Sequence, residues 1–264
     1  MRPFLARVFA FTNFAMASLP TSSYPSRRLA HITRHLNSAA SCSGELTSVG
    51  APAAAADAVP ARRNPASSKV HAAVLVCLFE DPHSGLRVLL TKRASSLNSH
   101  SGEVSLPGGK VEEGDADVKA TALREAEEEI GLDPALVSIV TVLEPFLSKN
   151  GLNVVPVIGM VSDKALFKPV LNKAEVEDIF DAPLEMFLKD DHRRTKEMNW
   201  MGVDIPVQFF DYEAEGKKFV IWGLTAHILT RAAAVIFQRQ PPFVELPRPK
   251  YSSAPVSCAT EPKP

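Results

Sequence analysis

Two apolar runs separated by a polar turn open the patterned part of the chain. Ala72–Phe79 (AAVLVCLF) is continuously apolar and of strand length, and Leu86–Thr91 (LRVLLT) is a second such run. The Asp-Pro-His-Ser-Gly between them is turn-forming, so the pair predicts a β-hairpin. Val137–Leu147 and Leu152–Val161 are rich in β-branched residues and flank Ser-Lys-Asn-Gly, which predicts a second hairpin. Gln208–Tyr212 and Lys218–Trp222 read as two short strands around a charged glycine loop. Helical spacing appears in two places. Ala116–Ile130 begins among acidic residues and stops at Gly131. Gly223–Gln238 is apolar at Leu224, Ile228, Leu229, Ala232, Val235 and Ile236, the stripe of a helix packed on a sheet. Glu175–Leu188 reads as a turn and a short amphipathic helix interrupted at Pro183. Hairpin-linked strands mixed with helices predict an α+β fold with a mixed sheet between helices.

Composition divides the chain into three parts. Up to Gly44 there is no Asp or Glu, while Arg2, Arg7, Arg27, Arg28 and Arg34 stand among Ser, Thr and Ala. That is the make-up of an organelle transit peptide, with the mitochondrion favoured, the chloroplast as alternative and secretion third. Residues 47–68 are mostly Ala, Pro, Ser and Arg and read as a disordered connector. The boundaries are therefore a leader and linker over 1–68, one folded domain over 69–240, and a Pro-rich irregular tail over 241–264. A net charge of −1 with 45% apolar residues gives no basic excess for nucleic-acid binding. No apolar run reaches the ~18 residues of a membrane span. Cys42, Cys77 and Cys258 have neither disulfide nor zinc spacing. The sequence leaves the oligomeric state open.

The chemistry lies in residues 106–132, LPGGKVEEGDADVKATALREAEEEIGL. Glu125, Glu128 and Glu129 stand at i, i+3 and i+4, on one side of a helix. Like charges at that spacing repel, and the positions four residues later hold Glu129, Leu132 and Asp133 rather than Lys or Arg. Arg124 is the nearby cation. Three hard oxygen ligands on a rigid element suit Mg²⁺. Asp115 and Asp117 read as first-turn acids that complement the helix dipole.

This stretch resembles the Nudix box of the Nudix hydrolases, with Gly109, Arg124, Glu125, Glu128, Glu129 and Gly131 at the pattern's positions. Gly109 to Arg124 is fifteen steps where the general pattern has fourteen. The preceding segment Leu89–Gly109, LLTKRASSLNSHSGEVSLPGG, resembles the signature of the coenzyme A diphosphatase branch, in which the longer spacing is also found among eukaryotic members. Asn98 stands where that branch usually has Arg, and Leu106 where it has Phe. The resemblance implies a Nudix-type α/β/α sandwich that cleaves coenzyme A to 4′-phosphopantetheine and adenosine 3′,5′-bisphosphate. It implies Mg²⁺ or Mn²⁺ held by Glu125, Glu128, Glu129 and the carbonyl of Gly109 or Gly108. Arg124 would orient the glutamates, and Glu128 would serve as base, with Glu175 or Glu177 as second choice. Lys92, Arg93 and Lys110 flank the glycine turn and are the cations for substrate phosphates. His100 is a loop residue with a structural reading. The alternatives are a Nudix enzyme acting on NADH, ADP-ribose or oxidised nucleotides, and a Nudix-fold binding protein without catalysis.

Overall fold

A computed structural model describes residues 71–200 and 203–243. The leader, the linker and most of the Pro-rich tail lie outside the described residues. The strands are β1 (His71–Asp81), β2 (Gly85–Arg93), β3 (Val104–Ser105), β4 (Gly108–Lys110), β5 (Val137–Val142), β6 (Phe146–Leu147), β7 (Asn153–Val161), β8 (Val176–Pro183), β9 (Arg193–Trp200), β10 (Val203–Ala214) and β11 (Lys217–Trp222). The helices are α1 (Val118–Ile130) and α2 (Gly223–Phe237). Among the described residues, β1 to β8 form one sheet and β9 to β11 a second.

The central sheet is mixed. β1 pairs in parallel with β7 and antiparallel with β2, so the predicted first hairpin forms. β5 and β6 both pair antiparallel with β7. β2 and β1 diverge along their length, and β3 and β4 enter the gap: β3 pairs with β2 and β4 with the start of β1. This gap puts a glycine turn in the middle of a sheet.

Both faces of β1 are buried, which is why its sequence is an unbroken apolar run. Ala73, Leu75, Cys77 and Phe79 join Ala122, Ala126 and Ile130 of α1 in one core. Val76 and Leu78 face the other core, with Phe210, Phe219 and Ile221 from the second sheet and Ile228, Leu229 and Ala232 from α2. The predicted sandwich is therefore present, with the three-stranded sheet sharing the second outer layer. The Cys77 thiol is fully enclosed, and burial pushes its pKa up to about 12.

One expectation is corrected, and one strand is additional. Val176–Pro183 is a strand antiparallel to β2 rather than a helix, and only Leu184–Leu188 turns, as a 3₁₀ helix. The open edge of β2 offers those backbone groups partners that a short isolated helix lacks. β9 went unpredicted because RRTKEMNW has no apolar alternation. It is held by pairing with β10 at the edge of the small sheet.

Candidate active site

α1 positions the glutamates. Asp117 is its N-cap, accepting hydrogen bonds from the N–H groups of Lys119 and Ala120. Gly131, at φ 69°, is its left-handed C-cap. Neither Asp115 nor Asp117 is a first-turn acid: one precedes the helix and the other caps it. Ala122 and Ala126 face the sheet with no exposure, and side chains this small let the helix approach β1 and β4 closely.

That approach presses two carboxylates onto the glycine turn. Glu129 is 2% exposed, and its Oε2 accepts a hydrogen bond from the Gly108 N–H at 3.3 Å. Glu125 packs on Gly109, where a Cβ would lie 2.3 Å from Oε1 of Glu125. Gly108 is equally constrained: at φ 152° its Cβ would fall 2.3 Å from the Ala73 carbonyl oxygen. Glu128 points outward, with 56% of its side chain exposed. The helix thus spreads the three glutamates from buried to solvent-facing.

Arg124 links them. Its guanidinium donates to Asp115 at 3.0 and 3.1 Å, to Glu128 at 2.9 Å, to Glu125 at 3.2 Å and to the Lys110 carbonyl at 3.1 Å. Asp115 also accepts from the Thr121 hydroxyl and the Glu112 N–H. Its hydrogen bond with Arg124 holds the Asp115 carboxyl well below the usual carboxylate range, and in return raises the pKa of Arg124. Asp115 is thus an anchor for Arg124. Sequence reasoning missed it because the pairing crosses nine residues and depends on how the intervening loop folds back.

The electrostatics are unbalanced. Burial pushes the Glu129 pKa up to about 8; the Gly108 N–H and Arg93 oppose this, while Glu125 and Glu175 add to it. Glu125 is raised too, first by burial, against the pull of Arg124. Among the described residues no three Asp, Glu, His or Cys side chains close into a metal cage. What exists is a pair of adjacent carboxylates, Glu129 buried and Glu125 half-buried, beside a backbone turn. Such a hard-oxygen donor set, incompletely neutralised by protein cations, fits a divalent cation.

The predicted substrate cations have different fates. Arg93 reaches Glu129, its guanidinium 3.9 Å away, and its Nε is buried without a hydrogen-bond partner. The β2–β8 register slips between Lys92 and Arg93, a bulge of the kind that re-aims side chains at a sheet margin. Lys92 pairs instead with Glu177 at 2.6 Å. Glu177 also accepts from the Ser95 hydroxyl, and the Lys92 bond lowers its pKa, so it is committed to that cluster. The Lys110 side chain is exposed beside the turn. Glu175 stands close enough to Glu125 and Glu129 to raise both. His100 contacts Glu103 at 2.9 Å on an exposed loop.

Comparison with known proteins agrees with this geometry. Residues 69–222 match the NUDIX domain model. The chain is 61% identical over 181 residues to "Nudix hydrolase 15, mitochondrial" of Arabidopsis thaliana, covering 68% of this chain and 64% of that protein. It is 60% identical over 182 residues to "Nudix hydrolase 22, chloroplastic" of the same plant, covering 69% and 60%. The matches span just under two thirds of the length of these two relatives. Against the mouse (Mus musculus) "Peroxisomal coenzyme A diphosphatase NUDT7" identity is 35% over 160 residues, covering 60% of this chain and 67% of that one. With the box glutamates seated on the glycine turn and a domain match across more than half its length, the chain belongs to the Nudix hydrolase family.

Proposed function

We propose that this chain hydrolyses the pyrophosphate of coenzyme A and its derivatives, giving 4′-phosphopantetheine and adenosine 3′,5′-bisphosphate. The observation that carries this reading is Arg93. It comes from the segment that resembles the coenzyme A diphosphatase signature, and it stands beside Glu129 with an unpaired buried Nε. A guanidinium with spare donors next to a cation-binding carboxylate face suits a pyrophosphate held between them. Identity of 35% to a protein named as a coenzyme A diphosphatase supports the same substrate class.

In this reading Glu125, Glu128, Glu129 and the Gly109 carbonyl hold Mg²⁺ or Mn²⁺. The cation supplies charge neutralisation at the phosphoryl oxygens and a more acidic water. Arg124, anchored by Asp115, keeps Glu125 and Glu128 in place as the phosphate enters. Glu128, the most solvent-facing of the three, accepts the proton of the attacking water, and Glu175 is the second candidate. Lys110 meets the phosphates from the rim. Residues 1–68 comprise an organelle leader and the linker that follows it, the destination being mitochondrial first and chloroplast second.

Turnover of coenzyme A, acyl-coenzyme A, NADH, ADP-ribose and oxidised dGTP at matched concentration tests the substrate. Coenzyme A or an acyl derivative should give the highest kcat/KM. Faster cleavage of NADH or ADP-ribose would sink the coenzyme A reading, and Mn²⁺ binding without turnover of any compound would mark a binding protein.

A further inference from the structure

We propose that Asn172 is a positioning residue of this site, tying the end of α1 to Glu175 and so holding a fourth carboxylate beside Glu125 and Glu129. The inference rests on the reading of that face as a divalent-cation site.

Helix ends leave their last carbonyls without partners. In α1 the carbonyls of Ala126 and Glu127 are satisfied locally by Leu132 and Gly131. Those of Glu129 and Ile130 are satisfied by a segment some forty residues on: Asn172 N–H donates to Glu129 at 2.9 Å and Val170 N–H to Ile130 at 3.0 Å. Asn172 therefore grips the residue whose carboxylate is the most buried of the set.

The other groups of Asn172 all address the next turn of chain. Its carbonyl accepts from the N–H groups of Glu175 at 2.9 Å and Val176 at 2.8 Å. Its Oδ1 accepts from Ala174 N–H at 3.2 Å, and its Nδ2 donates to the Glu175 carboxylate at 3.3 Å. From the far side, Ala94 N–H donates to the Glu175 carbonyl at 2.8 Å, next in sequence to Arg93. Glu175 is thus suspended between the end of the acidic helix and the end of β2.

That suspension opposes a force. Carboxylates gathered on one face repel one another, and an untethered Glu175 would turn toward water. Asparagine suits the task because it offers an acceptor to Ala174 and a donor to Glu175 at once, whereas Asp offers acceptors only.

The test compares Asn172→Asp, Asn172→Ala, Glu175→Gln and the Asn172→Ala/Glu175→Gln double variant in the full chain. Three readouts are taken: Mn²⁺ affinity by electron paramagnetic resonance, kcat and KM on the best substrate, and Tm. Asn172→Asp keeps the Oδ1 acceptor and every backbone bond, so it separates positioning from folding. It and Glu175→Gln should each weaken Mn²⁺ binding and lower kcat by about tenfold, with KM within about threefold. The double variant should be no worse than Glu175→Gln, since the two act as one unit. Multiplying losses, an unaffected Glu175→Gln, or a lowered Tm alone would overturn the proposal. The Mn²⁺ readout needs no substrate, so a failed coenzyme A reading leaves it standing. An unaltered chain that binds no Mn²⁺ overturns the cation site itself.

Discussion

Among the described residues, Glu129 combines burial with like-charged neighbours. Its carboxylate is nearly sealed, faces Glu125 and Glu175, and has one guanidinium at 3.9 Å and one N–H at 3.3 Å in compensation. An amide in its place would relieve the repulsion and end cation binding. Glu129→Gln and Glu128→Gln should each lower kcat by about a hundredfold or more with little change in KM. Near-normal turnover in both would show that the ligand assignment is wrong. Glu129→Gln should also raise Tm, because the residual charge it removes is buried and incompletely paired. Asp115 acts one step further out. Asp115→Asn replaces a paired carboxylate with an amide and should cost about tenfold in kcat. An unchanged rate would remove it from the positioning network.

The spacing of these glutamates made them readable without coordinates, since a helix converts i, i+3 and i+4 into neighbours. Their unequal burial was not readable. It follows from which side of α1 meets the sheet, and that is set by Ala122, Ala126 and Ile130 packing on β1. Gly109 is the matching requirement on the strand side. Gly109→Ala would put a methyl group 2.3 Å from the Glu125 carboxylate, displacing it while leaving both cores intact. We expect a fall in activity and in Mn²⁺ affinity of at least about tenfold, with a near-native circular dichroism spectrum. Retained Mn²⁺ affinity would show that the turn is less tight than drawn. The strand Val176–Pro183 teaches the converse lesson. Its local pattern suited a helix, and the vacant edge of β2 overrode it.

The molecule as a whole is two cores separated by a sheet, and its stability should respond to pH through the second core. His227 lies on α2 with its ring 5.0 Å from Phe146, edge to face. Burial, with Arg231 nearby, lowers its pKa below the ordinary 6.5. A base whose folded pKa is depressed binds its proton more readily when unfolded. The His227 contribution to stability is therefore full above pH 6.5 and declines as pH falls below that value toward the folded pKa. Urea denaturation at several pH values should show a steeper decline for the native chain than for His227→Phe, and equal slopes would refute the assignment. Beyond the folded unit, residues 1–68 fused to a fluorescent protein should direct it to mitochondria in plant cells. Plastid fluorescence would select the alternative, and a cytosolic signal would reject the leader.

Local chemistry sufficed for the strand hairpin at the start of the domain, the acidic helix with its cap at Gly131, and the placing of Glu125, Glu128 and Glu129 on that helix. Each depends on periodicities and turn residues that act within a few positions of one another. Long-range folding determined the rest. It paired Arg124 with Asp115, sent Arg93 to Glu129 but Lys92 to Glu177, and brought Asn172 and Glu175 to the end of α1. These contacts join residues far apart in the chain, where no local period links them. They exist only where the sheet and its two cores bring those segments together.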